Sequence, residues 1–77
     1  MSKFLEVLAG VCISTRRIVS IEAQEHEGQW IVLIFTDIIG EDGKPIVYTY
    51  NHQIFGDREA AMVKLGEIVG QCGGADA

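Results

Sequence analysis

Apolar and polar residues trade places along most of this chain with the short period of β-strands, and the period lengthens to that of a helix only near the C-terminus. From Ile18 to Gln24, the residues Val19, Ile21 and Ala23 alternate with Ser20, Glu22 and Gln24, as a half-buried strand requires. Trp30 to Ile39 reads as a longer, more apolar strand. Phe4 to Ala9 and Val11 to Ser14 are short β-prone runs on either side of Gly10, a residue suited to turn dihedrals, and predict an N-terminal hairpin. A helical turn over Ser2 to Leu8 competes with it, because Phe4, Leu5 and Leu8 also fit a 3.6-residue period.

The turns set the register. His26-Glu27-Gly28 fits a three-residue loop, a type I turn followed by glycine in the left-handed region, and so pairs Glu25 with Gln29. Asp42-Gly43 fits a two-residue type I′ turn, which faces Glu41 to Lys44 and Ile39 to Ile46. Counting back from both turns places Val19, Ile21, Ala23, Ile31, Leu33, Phe35, Ile39, Ile46, Tyr48 and Tyr50 on one face, the expected core. The other face carries Ser20, Glu22 and Gln24 beside Trp30, Val32, Ile34, Thr36, Ile38, Val47 and Thr49, which is too apolar to be left in water. A two-residue first loop would exchange the faces of the Trp30–Ile39 strand, since a one-residue slip inverts every side chain.

Asp57 is a helix N-cap, and Ala61, Met62, Leu65, Ile68 and Val69 follow at helical spacing, so residues 58–70 are expected to lay an apolar stripe across the core face until Gly70 or Gly73 ends the helix. Gly66 costs such a helix about 1 kcal/mol relative to alanine, which points to a close approach to the sheet or to another helix. The expected fold class is α+β. It comprises an antiparallel sheet of three long strands, a short N-terminal hairpin and one C-terminal amphipathic helix packed on one face, as one domain over residues 1–72 with a flexible tail at 73–77.

Composition adds a reason to expect company for this domain. A chain of 77 residues buries roughly 60–65% of its unfolded surface, yet 48% of the residues are hydrophobic. The surplus implies cover from a second copy, so a homo-oligomer is expected, with a protein partner as the other occupant of such a surface. The formal charge is -5, and the cations are scattered at Lys3, Arg16, Arg17, Lys44, Arg58 and Lys64. Nucleic-acid binding is therefore disfavoured, although Trp30, Tyr48 and Tyr50 on strands could stack bases and make it the alternative reading. The run Trp30 to Ile39 is interrupted by Asp37 and falls far short of the roughly 20 residues that span a bilayer. Met1-Ser2-Lys3-Phe4 lacks the pattern of a secretory signal, and a cytoplasmic home is expected.

Candidate chemistry is sparse. His26, His52, Cys12 and Cys72 are the soft metal-ligand types, and none falls in a spacing that sets two ligands on one face. No metal, cofactor or catalytic residue is assigned: His26 and His52 read as loop residues, Cys12 as a small buried strand side chain and Cys72 as part of the tail, both thiols reduced. Ser14, Ser20, Cys12, His26 and His52 would have to meet in a sealed pocket for nucleophilic catalysis, which few loop residues are present to build. A small-molecule-binding protein or enzyme is the third reading. The leading one is a noncatalytic interaction module whose candidate interface is Trp30, Val32, Ile34, Ile38 and Val47 or a free strand edge.

Phe4-Leu5-Glu6-Val7, Arg17-Ile18-Val19-Ser20-Ile21-Glu22, the acidic turn Glu41-Asp42-Gly43-Lys44 and the helix start Asp57-Arg58-Glu59-Ala60-Ala61 occur in an order that resembles small bacterial proteins including the flagellar FlbD-like family. The resemblance runs from Phe4 to Gly70 and contains no catalytic or ligand motif. It implies an antiparallel sheet plus helix acting as an interaction or regulatory module without enzyme activity, and it carries over no functional residue. The long apolar strand Trp30 to Ile39 departs from it.

Overall fold

The computed structural model describes residues 3–72. The expected tail at 73–77 lies outside the described residues. Among the described residues five strands and one α-helix follow in the order β1 (Phe4–Leu8), β2 (Val11–Ser14), β3 (Ile18–His26), β4 (Gln29–Ile39), β5 (Pro45–Thr49) and α1 (Arg58–Gln71). The fold is α+β, as the hydrophobic periods imply: β1 and β2 form an antiparallel hairpin, and β3-β4-β5 form a second antiparallel sheet with β4 in the middle. The helical alternative for the N-terminus does not occur, because Leu5 and Val7 alternate into the core while Phe4 and Glu6 face out.

The β3–β4 turn corrects the expected register. His26 pairs with Gln29, Ala23 with Val32 and Ile21 with Ile34, so the turn holds two residues, Glu27 and Gly28. Both have positive φ, 53° and 81°, the signature of a type I′ turn, whose twist matches that of the strands it joins. The consequence is an inversion of β4 alone. Val32, Ile34 and Thr36 are its buried residues, with Trp30 and Ile38 packed beside them, while Ile31, Leu33 and Phe35 face the other way. On the neighbouring strands the expected sides hold: Ile21, Ala23 and Tyr48 pack against the core. Val19 does not, for it falls in a bulge between Ile18 and Ser20 and is 69% exposed.

The second turn is also corrected. Gly43 has φ 79° but Asp42 is not left-handed, so this is no type I′ turn. Gly43 N–H donates to Gly40 O at 3.0 Å, Gly40 N–H donates to Lys44 O at 2.9 Å, and Asp42 Oδ1 accepts from Lys44 N–H at 3.0 Å, which closes a longer loop and sets Ile39 opposite Pro45. The ladder slips between Phe35 and Ile39, and Thr36 mends it. Its hydroxyl donates to Ile46 O at 2.7 Å and accepts from Ile38 N–H at 3.2 Å, standing in for the missing strand partner.

After β5 the chain turns through Asn51 and His52, both left-handed at φ 49° and 54°. This detour places Phe55 opposite Trp30, with main-chain bonds of 3.0 and 2.7 Å in both directions. Asp57 then caps α1 by accepting from Ala60 N–H at 2.8 Å, which satisfies one of the free amides of the first turn. Leu5, Val7 and Ile13 from the hairpin, Val32 and Ile34 from β4, and Ala61 and Ile68 from α1 form one core. Hairpin and helix thus cover the same face of the sheet, and the face of Ile31, Leu33 and Phe35 is covered by neither.

The two sides of β4 respond differently to truncation. Ile34→Ala, at a fully buried site, is expected to cost about 2–5 kcal/mol, and Leu33→Ala, one residue away on the open side, less than half of that. Urea denaturation of both variants checks the assignment.

Candidate functional site

The five residues singled out as a candidate interface are divided between the two sides of the sheet. Val32 and Ile34 have 0% exposure and belong to the core, where hydrophobic cover comes from the chain's own hairpin and helix. Trp30 and Ile38 are half-buried against that core. Only Val47, 46% exposed and paired with Phe35, stands on the open side. The β4 residues on that side are Ile31, Leu33 and Phe35, half-buried, with no helix or hairpin above them among the described residues. The signal that could have found them was Glu27-Gly28 taken as a two-residue turn.

Polar contacts border this apolar strip. On β3, Gln24 Nε2 donates to Glu22 Oε1 at 2.9 Å, the two side chains lying beside Ile31 and Leu33 on the same face. At the other end Arg17 Nε approaches Asp37 Oδ1 at 3.6 Å, with both side chains more than half exposed. Such an exposed pair is worth little energetically, so these groups keep the rim wet without sealing it.

The chemically reactive residues are dispersed. Cys12 is exposed on the outer side of β2, a correction to its expected burial, because Ile13 and not Cys12 turns toward the core. Cys72 is not tail-like either. It closes α1, donating its N–H to Ile68 O at 3.0 Å, and packs half-buried against the core, where desolvation pushes its thiol pKa up. Both thiols are free. His26 ends β3 and His52 sits in the left-handed turn, both exposed. Ser14 Oγ accepts from Arg16 N–H at 3.3 Å and caps a 3-10 turn. Ser20 faces the open side opposite Phe35, about 20 Å along the strand from His26 at 3.3 Å per residue. Among the described residues no group of three or more His, Cys, Asp or Glu is placed to hold a metal ion, no pocket opens in the surface, and no helix is long and apolar enough to cross a membrane.

Comparison with protein-family models, with curated proteins and with solved structures finds no match to this chain.

Exposure and desolvation order the two thiols. At pH 8, iodoacetamide is expected to alkylate Cys12 before Cys72, because a raised pKa leaves less Cys72 thiolate at any given pH. Peptide mapping of partly alkylated protein checks the order, and denaturation should abolish it.

Proposed function

We propose that this protein is a noncatalytic interaction module that works in the cytoplasm as an assembly of its own copies. The observation that carries the reading is the balance of exposed against buried apolar side chains. Among the described residues nine large hydrophobic side chains are exposed, Phe4, Val11, Val19, Ile39, Val47, Ile54, Met62, Val63 and Val69, against seven hydrophobic residues in the buried core. Scattered apolar residues are ordinary on a protein surface, but here Val47 joins the strip of Ile31, Leu33 and Phe35 on a sheet whose other face is already used.

Self-contact offers a ready solution, since each copy brings the same unfilled surface, and closed symmetric dimers are the commonest result of such an arrangement. An acidic chain of formal charge -5 with scattered cations is poorly suited to phosphate backbones. The role agrees with what the resemblance to FlbD-like proteins implies, an interaction or regulatory function without enzyme activity.

Sedimentation velocity of the intact chain between about 1 and 100 μM tests the reading on the concentration scale of modest protein–protein affinities. A species at twice or more the 8.4 kDa chain mass is expected, growing with concentration. A single species of chain mass throughout overturns it.

A further inference from the structure

Among the described residues β3 is an outer strand of its sheet, bonded to β4 on one side and to no strand on the other. Trp30 directs both its main-chain bonds at Phe55, hence away from β3. Because main-chain groups alternate sides along an antiparallel strand, Ile31, Leu33 and Phe35 bond toward Gln24, Glu22 and Ser20. The N–H and C=O groups of Ile21, Ala23 and Glu25 therefore point outward from the sheet. The bulge between Ile18 and Ser20 ends the regular part of this edge. What remains is a straight ladder from Ser20 to His26, centred on Ala23, without the lysine or proline that often guards an edge.

Helix α1 lies over β3 and β4, and its two flanks differ. The ammonium of Lys64 stands 6.0 Å from the centre of the Tyr50 ring, just beyond β5, which marks the β5-side flank. At about 100° per residue, Met62, Gly66 and Val69 fall on the flank above the β3 edge. Met62 and Val69 are 40% and 41% exposed, and a Cβ at Gly66 would meet nothing within 4 Å. The close approach expected at Gly66 is therefore not made by the chain's own sheet.

The geometry points to a two-fold dimer in which β3 pairs antiparallel with β3 of a second copy about Ala23, merging the sheets and setting the two α1 helices side by side. This rests on the self-association reading and assigns the contact to the β3 edge and the α1 flank, leaving the strip of Ile31, Leu33 and Phe35 uncovered. In this register Ala23 faces Ala23, Ile21 faces Glu25, Glu22 faces Gln24 and Ser20 faces His26 of the second copy. Every residue of the straight segment is paired, and no acid opposes an acid. Centring on Glu22 or on Glu25 would set two carboxylates against each other, and centring on Gln24 runs into the Glu27-Gly28 turn and shortens the ladder. Spacing agrees with the register. Strands about 4.8 Å apart put a helix seated over the β3–β4 gap about 5 Å from the axis, so the two helices lie about 10 Å apart, at packed-helix distance. Met62 and Val69 are then covered, with Gly66 at the approach.

Cross-linking reads the register. In a Cys12→Ser, Cys72→Ser background, Glu22→Cys and Gln24→Cys chains are mixed and oxidised, their facing Cα atoms being about 4.5 Å apart in such a pair and within disulfide reach. The mixed disulfide dimer is expected to form several-fold faster than either homodimer. Equal or faster cross-linking of one variant alone overturns the register. No cross-link in a mixture that sediments as a dimer overturns the β3 contact and leaves self-association standing, whereas an intact chain that sediments only as monomer removes both. Ala23→Pro provides the second arm, because its outward N–H faces no strand among the described residues. Dimer dissociation is expected to rise at least about tenfold with the loss of both central bonds. Circular dichroism verifies the fold, and an unchanged dissociation constant in folded protein overturns the proposal.

Discussion

The parity of the Glu27-Gly28 turn governs how this molecule is put together. A strand offers its side chains alternately to two faces, so the number of residues in the turn before β4 decides which half of its eleven residues meets the hairpin and the helix. Two residues send Val32 and Ile34 inward, while three would have sent Ile31, Leu33 and Phe35. Both sets are aliphatic or aromatic enough to make a core, so β4 itself does not discriminate strongly between them. The left-handed backbone at Glu27 is tolerated because the resulting twist lets nine residues of β3 follow β4.

Once that choice is made, the irregularities elsewhere fit around it. The Val19 bulge, the Thr36 hydroxyl bridging to Ile46 and the Asn51-His52 turn each alter the local pairing, so that the side chains of β3, β5 and Phe55 keep company with the inward face of β4. The hairpin and the helix then share that face. Concentrating both covers on one side gives a small chain a closed core from Leu5 to Ile68, and among the described residues it leaves one sheet face uncovered and the outer edge of β3 unpaired. The surface available for recognition is in this sense a by-product of how the core was completed.

Much of this was legible in the sequence. The five strands, the helix, the Asp57 cap, the antiparallel pairing and the existence of a second apolar sheet face all followed from alternation and turn chemistry. Which side of β4 forms that face did not, nor did the exposure of Cys12 or the anchoring of Cys72. In each case the local pattern was compatible with two answers. Val11 and Cys12 precede Ile13 in a short strand, and all three are apolar enough to be buried. Met62 and Val69 sit on the apolar side of α1, but the sheet reaches only as far around the helix as Ala61 and Ile68.

Element type is a property of neighbours in the chain, since the periods of 2 and 3.6 residues and the capping groups act over a few positions, and to that extent this sequence determined its own secondary structure and its α+β class. Face, register and cover are properties of pairs far apart in the chain. A type I′ turn and a three-residue loop both suit Glu27-Gly28 locally. The choice between them is settled by whether Val32 and Ile34, or their neighbours, fit against Leu5, Val7, Ala61 and Ile68, and that comparison exists only when the chain has folded.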